Sequence, residues 1–134
     1  MTAYGVLSRG LISGHWSKAR QGERDFRAIS PRFQEGNLDQ NLRLVEKLRE
    51  IASGKGISVA QLAIAWVLAR GDDIVPLVGA RQRDRLSESL GALDVTLGAG
   101  ELAEIERAVP ASAVAGDRYN EQMMHNLDSE KPAA

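Results

Sequence analysis

The 134 residues are 43% hydrophobic and 26% charged, and 17 basic against 18 acidic side chains leave a net charge of -1. That is the make-up of one soluble globular domain or a piece of one, without the basic field that draws a protein to nucleic acid. Cysteine is absent, which excludes disulfides and thiolate metal sites, and no run approaches the roughly 18 apolar residues of a membrane span.

His15 and His125 stand too far apart to suggest a zinc site. Met1-Thr-Ala-Tyr-Gly lacks the basic and apolar regions of a signal peptide, so the expected location is cytoplasmic. Thr2 to Leu7 (TAYGVL) reads as a strand running into Ser8 to Gly14, where two glycines permit a tight turn. A strand that starts with no lead-in implies partners elsewhere, a first sign of truncation.

His15 to Gly36 is polar, locally basic and without sustained periodicity, which predicts a long lid-like loop with a turn of helix. Its aromatic residues Trp16, Phe26 and Phe33 either pack the lid on a ligand region or anchor the loop to its own domain. Leu38 to Ala52 follows as an amphipathic helix, with Leu38, Leu42, Val45, Leu48 and Ile51 or Ala52 on one face and Asn37 as N-cap. Its charged face is a solvated face.

Ser58 caps a helix over Val59 to Arg70 that is apolar almost all the way round, so burial on two sides is expected, with Trp66 in the core. Next, Ile74 to Val78 reads as an apolar strand of a parallel sheet covered on both faces, although Pro76 fits best near an edge or bulge. Strand, helices and strand make a βαβ unit, and both glycine turns fall at the carboxyl ends of the strands, where ligands gather in such folds.

Beyond Gly79 a short helix over Asp84 to Leu93 carries Leu86, Leu90 and Leu93 on one face. Arg81, Arg83 and Arg85 crowd its N-terminal end, where the helix dipole is already positive, and a bound anion such as phosphate would relieve the conflict. Pairing of these arginines with Asp84 and Glu88 at helical spacing is the alternative. Glu101 to Val109 is a second amphipathic helix stopped at Pro110, and Asp117 to Ala134 is a polar tail whose last residues are expected to be mobile.

These stretches carry a resemblance. AYGVLSRGLISG, GISVAQLAIAWVLARGDDIVPLVGARQRDRLSESLGALDVTL, GDRY and LDSE, in that order, resemble the C-terminal part of an aldo-keto reductase, a family of NADPH-dependent carbonyl reductases built as (β/α)8 barrels. The resemblance implies an α/β fold: a partial (β/α)8 TIM barrel holding strands seven and eight, a C-terminal helix and a tail, with residues 1-134 as one C-terminal fragment. It also implies that the aromatic at Tyr4 stacks on nicotinamide and that Leu7, Ser8 and Arg9 lie along the pyrophosphate. Gly79, Ala80, Arg81, Gln82, Arg85, Glu88 and Ser89 would hold the adenosine 2'-phosphate and adenine of NADP(H), with Arg85 the phosphate ligand and Arg81 assisting. Many members have Ser-Pro where this chain has Gly5-Val6, and Asn where it has Ser89.

The family's catalytic Asp, Tyr, Lys and His lie on the first four strands, and no residue here matches those motifs. No catalytic residue and no metal ligand is therefore assigned. Reduction of a small carbonyl substrate would need the N-terminal half, since a whole barrel takes on the order of 250 residues. Two strands alone would leave apolar edges that favour association, possibly as a homo-oligomer. Three readings follow: part of an NADP(H)-dependent oxidoreductase, inactive by itself; a catalytically inactive nucleotide-binding or oligomerising module; and an unrelated helical interaction domain.

Overall fold

Strand β1 (Thr2–Ala3) lies beside strand β2 (Val75–Pro76) in parallel, Thr2 opposite Val75 and Ala3 opposite Pro76. The computed structural model describes residues 1–15 and 25–127. Residues 16–24 of the lid-like loop, Trp16 among them, and 128–134 of the tail lie outside the described residues.

Both strands are shorter than the sequence suggests, because the chain leaves the ladder at Tyr4 and again at Leu77. Val75 N–H donates to Met1 O and Leu77 N–H to Ala3 O, each at 2.8 Å. In a parallel strand successive N–H groups point to opposite edges, so an N–H at position 76 would point away from β1. Pro76 therefore costs this pair no hydrogen bond, as a proline at an edge should.

Helices α1 (Asn37–Gly54) and α2 (Val59–Leu68) make the crossover between the strands. The N-cap of α1 is Gly36, at φ 85°, and not Asn37 as the sequence suggests; Asn37 is the first helical residue and donates to Pro31 O at 3.0 Å. Ser58 caps α2 as expected. Its hydroxyl accepts from Gln61 N–H at 3.2 Å while Gln61 Oε1 accepts from Ser58 N–H at 2.9 Å, a reciprocal arrangement that satisfies two otherwise orphan donors.

Leu48 and Ala52 of α1, Val59, Leu62 and Ala65 of α2, Leu97, and Ile105 of helix α4 (Ala99–Ala108) form the main core. Partly buried Trp66 packs against it. A second cluster joins Leu11, Phe33, Leu38 and Val45, fastening the first loop and the visible lid segment onto α1. That segment consists of two 3-10 turns, Phe26–Ile29 and Pro31–Phe33. Phe33 anchors it in the core, whereas Phe26 is 45% exposed.

Helix α3 (Arg83–Leu90) starts one residue early and passes into a 3-10 turn, Gly91–Asp94, so the predicted Asp84 to Leu93 helix is really two elements. A short helix α5 (Glu121–Met124) ends the described part. One expectation of burial is corrected: Val75 and Leu77, expected under cover on both faces, are 57% and 52% exposed. The Leu86, Leu90 and Leu93 face is 48%, 54% and 69% exposed. The core grows on the α1, α2 and α4 side, and these residues keep about half or more of their surface in solvent. No single helix among the described residues is long and apolar enough to cross a membrane.

Candidate functional site

Between β1 and the first core residue the backbone takes an unusual path. Gly5 (φ 70°), Ser8 (φ 47°), Arg9 (φ 55°) and Gly10 (φ 91°) all occupy the left-handed region. For the two that carry a Cβ this costs about 1–2 kcal/mol each. Tight turns hold them there: Ser8 N–H donates to Gly5 O at 2.8 Å, Gly10 N–H to Leu7 O at 2.9 Å and Leu11 N–H to Ser8 O at 3.1 Å. Backbone strain of this kind collects where a loop must present its groups in one arrangement.

This loop forms one wall of a cleft of about 430 Å³ at the carboxyl ends of both strands. Leu7 and Arg9 line that wall; Leu77 and Gly79 from the end of β2, and Arg85, Glu88 and Ser89 from α3, line the other. Six residues singled out from sequence (Leu7, Arg9, Gly79, Arg85, Glu88 and Ser89) thus meet in one place. A Cβ built on Gly79 would find nothing within 4 Å, so the turn is open to close approach by a ligand.

At the floor of the cleft three side chains converge. His15 Nε2 lies 3.0 Å from Glu88 Oε2, Arg85 Nη1 lies 3.4 Å from the same oxygen, and Arg85 Nη1 also contacts His15 Nε2. Burial works against the Glu88 charge, but hydrogen bonds from His15 and Ser58 and the adjacent Arg85 outweigh it and lower its pKa. The helical Arg85–Glu88 pairing foreseen from spacing is present. Yet Arg85 Nε and Nη2 carry no hydrogen bond among the described residues.

Tyr4 and Ser8 do not enter this cleft. They line an adjoining cavity of about 400 Å³ with Ser30, Asn41, Arg118 and Tyr119, and Arg9 borders both spaces. The Arg9 guanidinium stacks 4.5 Å from the Phe26 ring centroid and 4.8 Å from that of Tyr119, and donates to Ser30 Oγ at 2.8 Å. Its charge therefore ties the first loop to the lid segment and the tail. Tyr119 donates to the Tyr4 hydroxyl at 3.3 Å; with Arg118 adjacent, this lowers the Tyr4 pKa and raises that of Tyr119.

Ala80, Arg81 and Gln82 are exposed and outside both spaces. Gln82 is the N-cap of α3 but makes no side-chain cap, so first-turn amides of that helix have no side-chain acceptor from it. Sequence reasoning missed His15, which it placed in the lid, and Ser13, Leu77 and Val78, which complete the cleft. The one available signal was position: His15 directly follows a glycine turn at a strand's carboxyl end. Among the described residues no group of three or more His, Asp or Glu could hold a metal ion.

A phosphorylated nucleotide fits this donor set. The cleft lies within the approximately 300–1,000 Å³ range of small-molecule sites. It offers an arginine whose Nε and Nη2 carry no hydrogen bond among the described residues, and an open glycine turn.

Comparison with known proteins shows the family. The profile of the Aldo/keto reductase family matches residues 1–110. An NADP(+) aldo-keto reductase of Schizosaccharomyces pombe is 39% identical over 120 residues, covering 89% of this chain and 35% of the relative. A probable aldo-keto reductase of Glycine max is 38% identical over 122 residues, covering 91% and 35%. Among solved structures, a glycerol dehydrogenase of Gluconobacter oxydans superposes with a TM-score of 0.70 at 31% identity, covering 81% of this chain and 35% of that one. The chain spans about a third of the length of the relatives it matches.

Proposed function

Because this chain belongs to the aldo/keto reductase family, we propose that it forms the adenosine 2'-phosphate end of the NADP(H) site of a carbonyl-reducing oxidoreductase. The fold is then the seventh and eighth strands of a (β/α)8 barrel with their helices. NADPH, when bound, supplies the hydride that reduces a carbonyl carbon. On this reading the catalytic groups come from parts of the barrel that this chain, which spans 35% of the length of those relatives, does not match.

The carrying observation is the convergence of Arg85, Glu88, Ser89 and Gly79 with the Leu7–Arg9 loop on one cleft. Within it Arg85 offers its guanidinium to the 2'-phosphate, and the positive N-terminal end of α3, next to the cleft, favours the negative charge. Glu88 and Ser89 present hydrogen-bonding atoms toward adenine. Leu7 and the strained Ser8–Arg9 backbone border the pyrophosphate, and Tyr4, 57% exposed beside them, offers its ring to the nicotinamide. A cytoplasmic setting and a small-molecule carbonyl substrate accompany this reading.

Titration of tryptophan fluorescence with NADPH and with NADH tests it. Wild type should bind NADPH more tightly, and Arg85→Ala should lose about 1–3 kcal/mol for NADPH with little change for NADH. Equal affinity for both cofactors in wild type, or an Arg85→Ala variant that keeps NADPH preference, would overturn it.

A second reading has its own observation, the exposure of Val75, Leu77, Leu86, Leu90 and Leu93. These residues lie on β2 and its exit, on α3 and on the turn after it, where a complete barrel would cover them. A chain that stays separate would bury them in a homo-oligomer and act as a catalytically inactive nucleotide-binding module. Sedimentation across a concentration series distinguishes a monomer from a self-associating species.

A further inference from the structure

One nitrogen at the floor of the cleft has two suitors. His15 Nε2 faces the carboxylate oxygen Glu88 Oε2 at 3.0 Å and also the guanidinium nitrogen Arg85 Nη1. A ring nitrogen carries either a hydrogen or a lone pair, so it can donate to Glu88 or accept from Arg85, never both. Arg85 has the mirror problem. It is always charged and only donates, and its remaining acceptor among the described residues is the same Glu88 oxygen at 3.4 Å, longer than the roughly 2.7–2.9 Å of a strong charge-assisted bond.

We propose that His15 is a positioning residue that frees Arg85 for an adenosine 2'-phosphate, by taking over the Glu88 carboxylate that otherwise holds the guanidinium. This rests on the nucleotide reading above. In the ligand-free arrangement Arg85 leans on His15 and Glu88 together. When a phosphate draws Arg85 into the cleft, His15 presents Nε2–H to Glu88 Oε2, and Ser58 supports the same carboxylate. Glu88, only 20% exposed in its side chain, is then never left without a donor, a state that costs a buried carboxylate heavily. Without the imidazole, Glu88 keeps Ser58 but draws more on Arg85, and the phosphate must compete with it.

Three consequences separate this role from a merely structural one. His15→Ala should weaken binding of adenosine 2'-monophosphate about 3- to 10-fold, in keeping with one hydrogen bond to a charged group, and leave adenosine 5'-monophosphate unchanged. Adding Glu88→Gln to His15→Ala should restore the lost 2'-phosphate affinity, because the competing charge is gone. The 5'-monophosphate controls for any adenine contact of Glu88, which affects both ligands alike. In wild type, the ring nitrogen NMR shifts of His15 should report hydrogen on Nε2 once the 2'-monophosphate is bound.

Calorimetric titration of wild type, His15→Ala, His15→Ala/Glu88→Gln and Arg85→Ala with both nucleotides decides it, with circular dichroism confirming that each variant keeps its helix content. If Arg85→Ala loses 2'-phosphate preference while His15→Ala keeps it, the His15 role is overturned and the nucleotide reading stands. A His15→Ala loss that Glu88→Gln fails to restore also overturns it. If wild type shows no preference for the 2'-monophosphate, the nucleotide reading fails and this role with it.

Discussion

Asn41 and Ala115 bind each other as two strands would, the Asn41 amide donating to Ala115 O and accepting from Ala115 N–H, both at 2.9 Å. Asn41 Nδ2 also donates to Arg32 O at 3.1 Å, and the residue is 3% exposed. One side chain on α1 thereby joins the lid segment to the segment after α4, on both of which the Tyr4 cavity depends. Asn41→Leu keeps the branching at Cγ with a bulkier side chain, and leaves a backbone N–H and two carbonyls without this partner. The expected loss is about 2–3 kcal/mol, read as a lower urea midpoint with an unchanged slope; a loss under about 0.5 kcal/mol would mean that water replaces the amide fully.

Two glycines predict opposite signs. Gly116 sits at φ 80°, and a Cβ there would come within 2.8 Å of the backbone carbon and oxygen of Pro31. Gly100 lies in the first turn of α4, and a Cβ there meets nothing within 4 Å. Gly116→Ala should lower the melting temperature, by strain and clash exceeding about 1 kcal/mol. Gly100→Ala should raise stability by about 0.5–1 kcal/mol, because helical glycine gives up more backbone entropy. Calorimetry on the pair checks both signs at once.

The helices were legible because their signals are local. Ser58 with Gln61, and the stripe of Leu38, Val45, Leu48 and Ala52, announce α2 and α1 from spacing alone, and Pro110 correctly stops α4. What escaped was set by distant parts of the chain. Gly36 takes the cap from Asn37 because Asn37 is drawn to Pro31 O. Asn41, three residues after Leu38 and four before Val45, was not read as buried because it is polar, and its partner 74 residues away had no signal. The same holds for the cleft. Arg85 and Glu88 were legible as partners at helical spacing, whereas His15 joins them across 70 residues or more. Arg9, assigned to a phosphate by resemblance, shows a guanidinium stacked between Phe26 and Tyr119, a sandwich that no local pattern encodes.

Ser8 tests whether the left-handed loop is strained. At φ 47° its Cβ crowds the backbone, so Ser8→Gly removes a penalty while adding unfolded-state entropy. Those terms nearly offset, and the variant should lie within about 0.5 kcal/mol of wild type or above it. Ser8→Val should cost more than about 1 kcal/mol, since β-branching makes this region worse. Thermal unfolding of both variants gives the answer, and equal destabilisation by glycine and valine would show that the hydroxyl, and not the backbone, matters at this position.

Glu88 should make the fold acid-sensitive. Burial opposes its charge, but His15, Ser58 and Arg85 prevail and hold its pKa below the ordinary glutamate value of about 4.3. A folded-state pKa below the unfolded one means that the unfolded chain binds the proton first. The stabilisation is therefore fully present above about pH 4.3 and is lost as pH falls from there through the folded value. Glu88→Gln lacks this titration, so it should be less stable than wild type near neutral pH and close the gap as the solution is acidified. Urea midpoints of both proteins at about pH 7 and about pH 3.5 measure it; a stability difference that stays constant between the two conditions would show that the carboxylate contributes packing rather than charge.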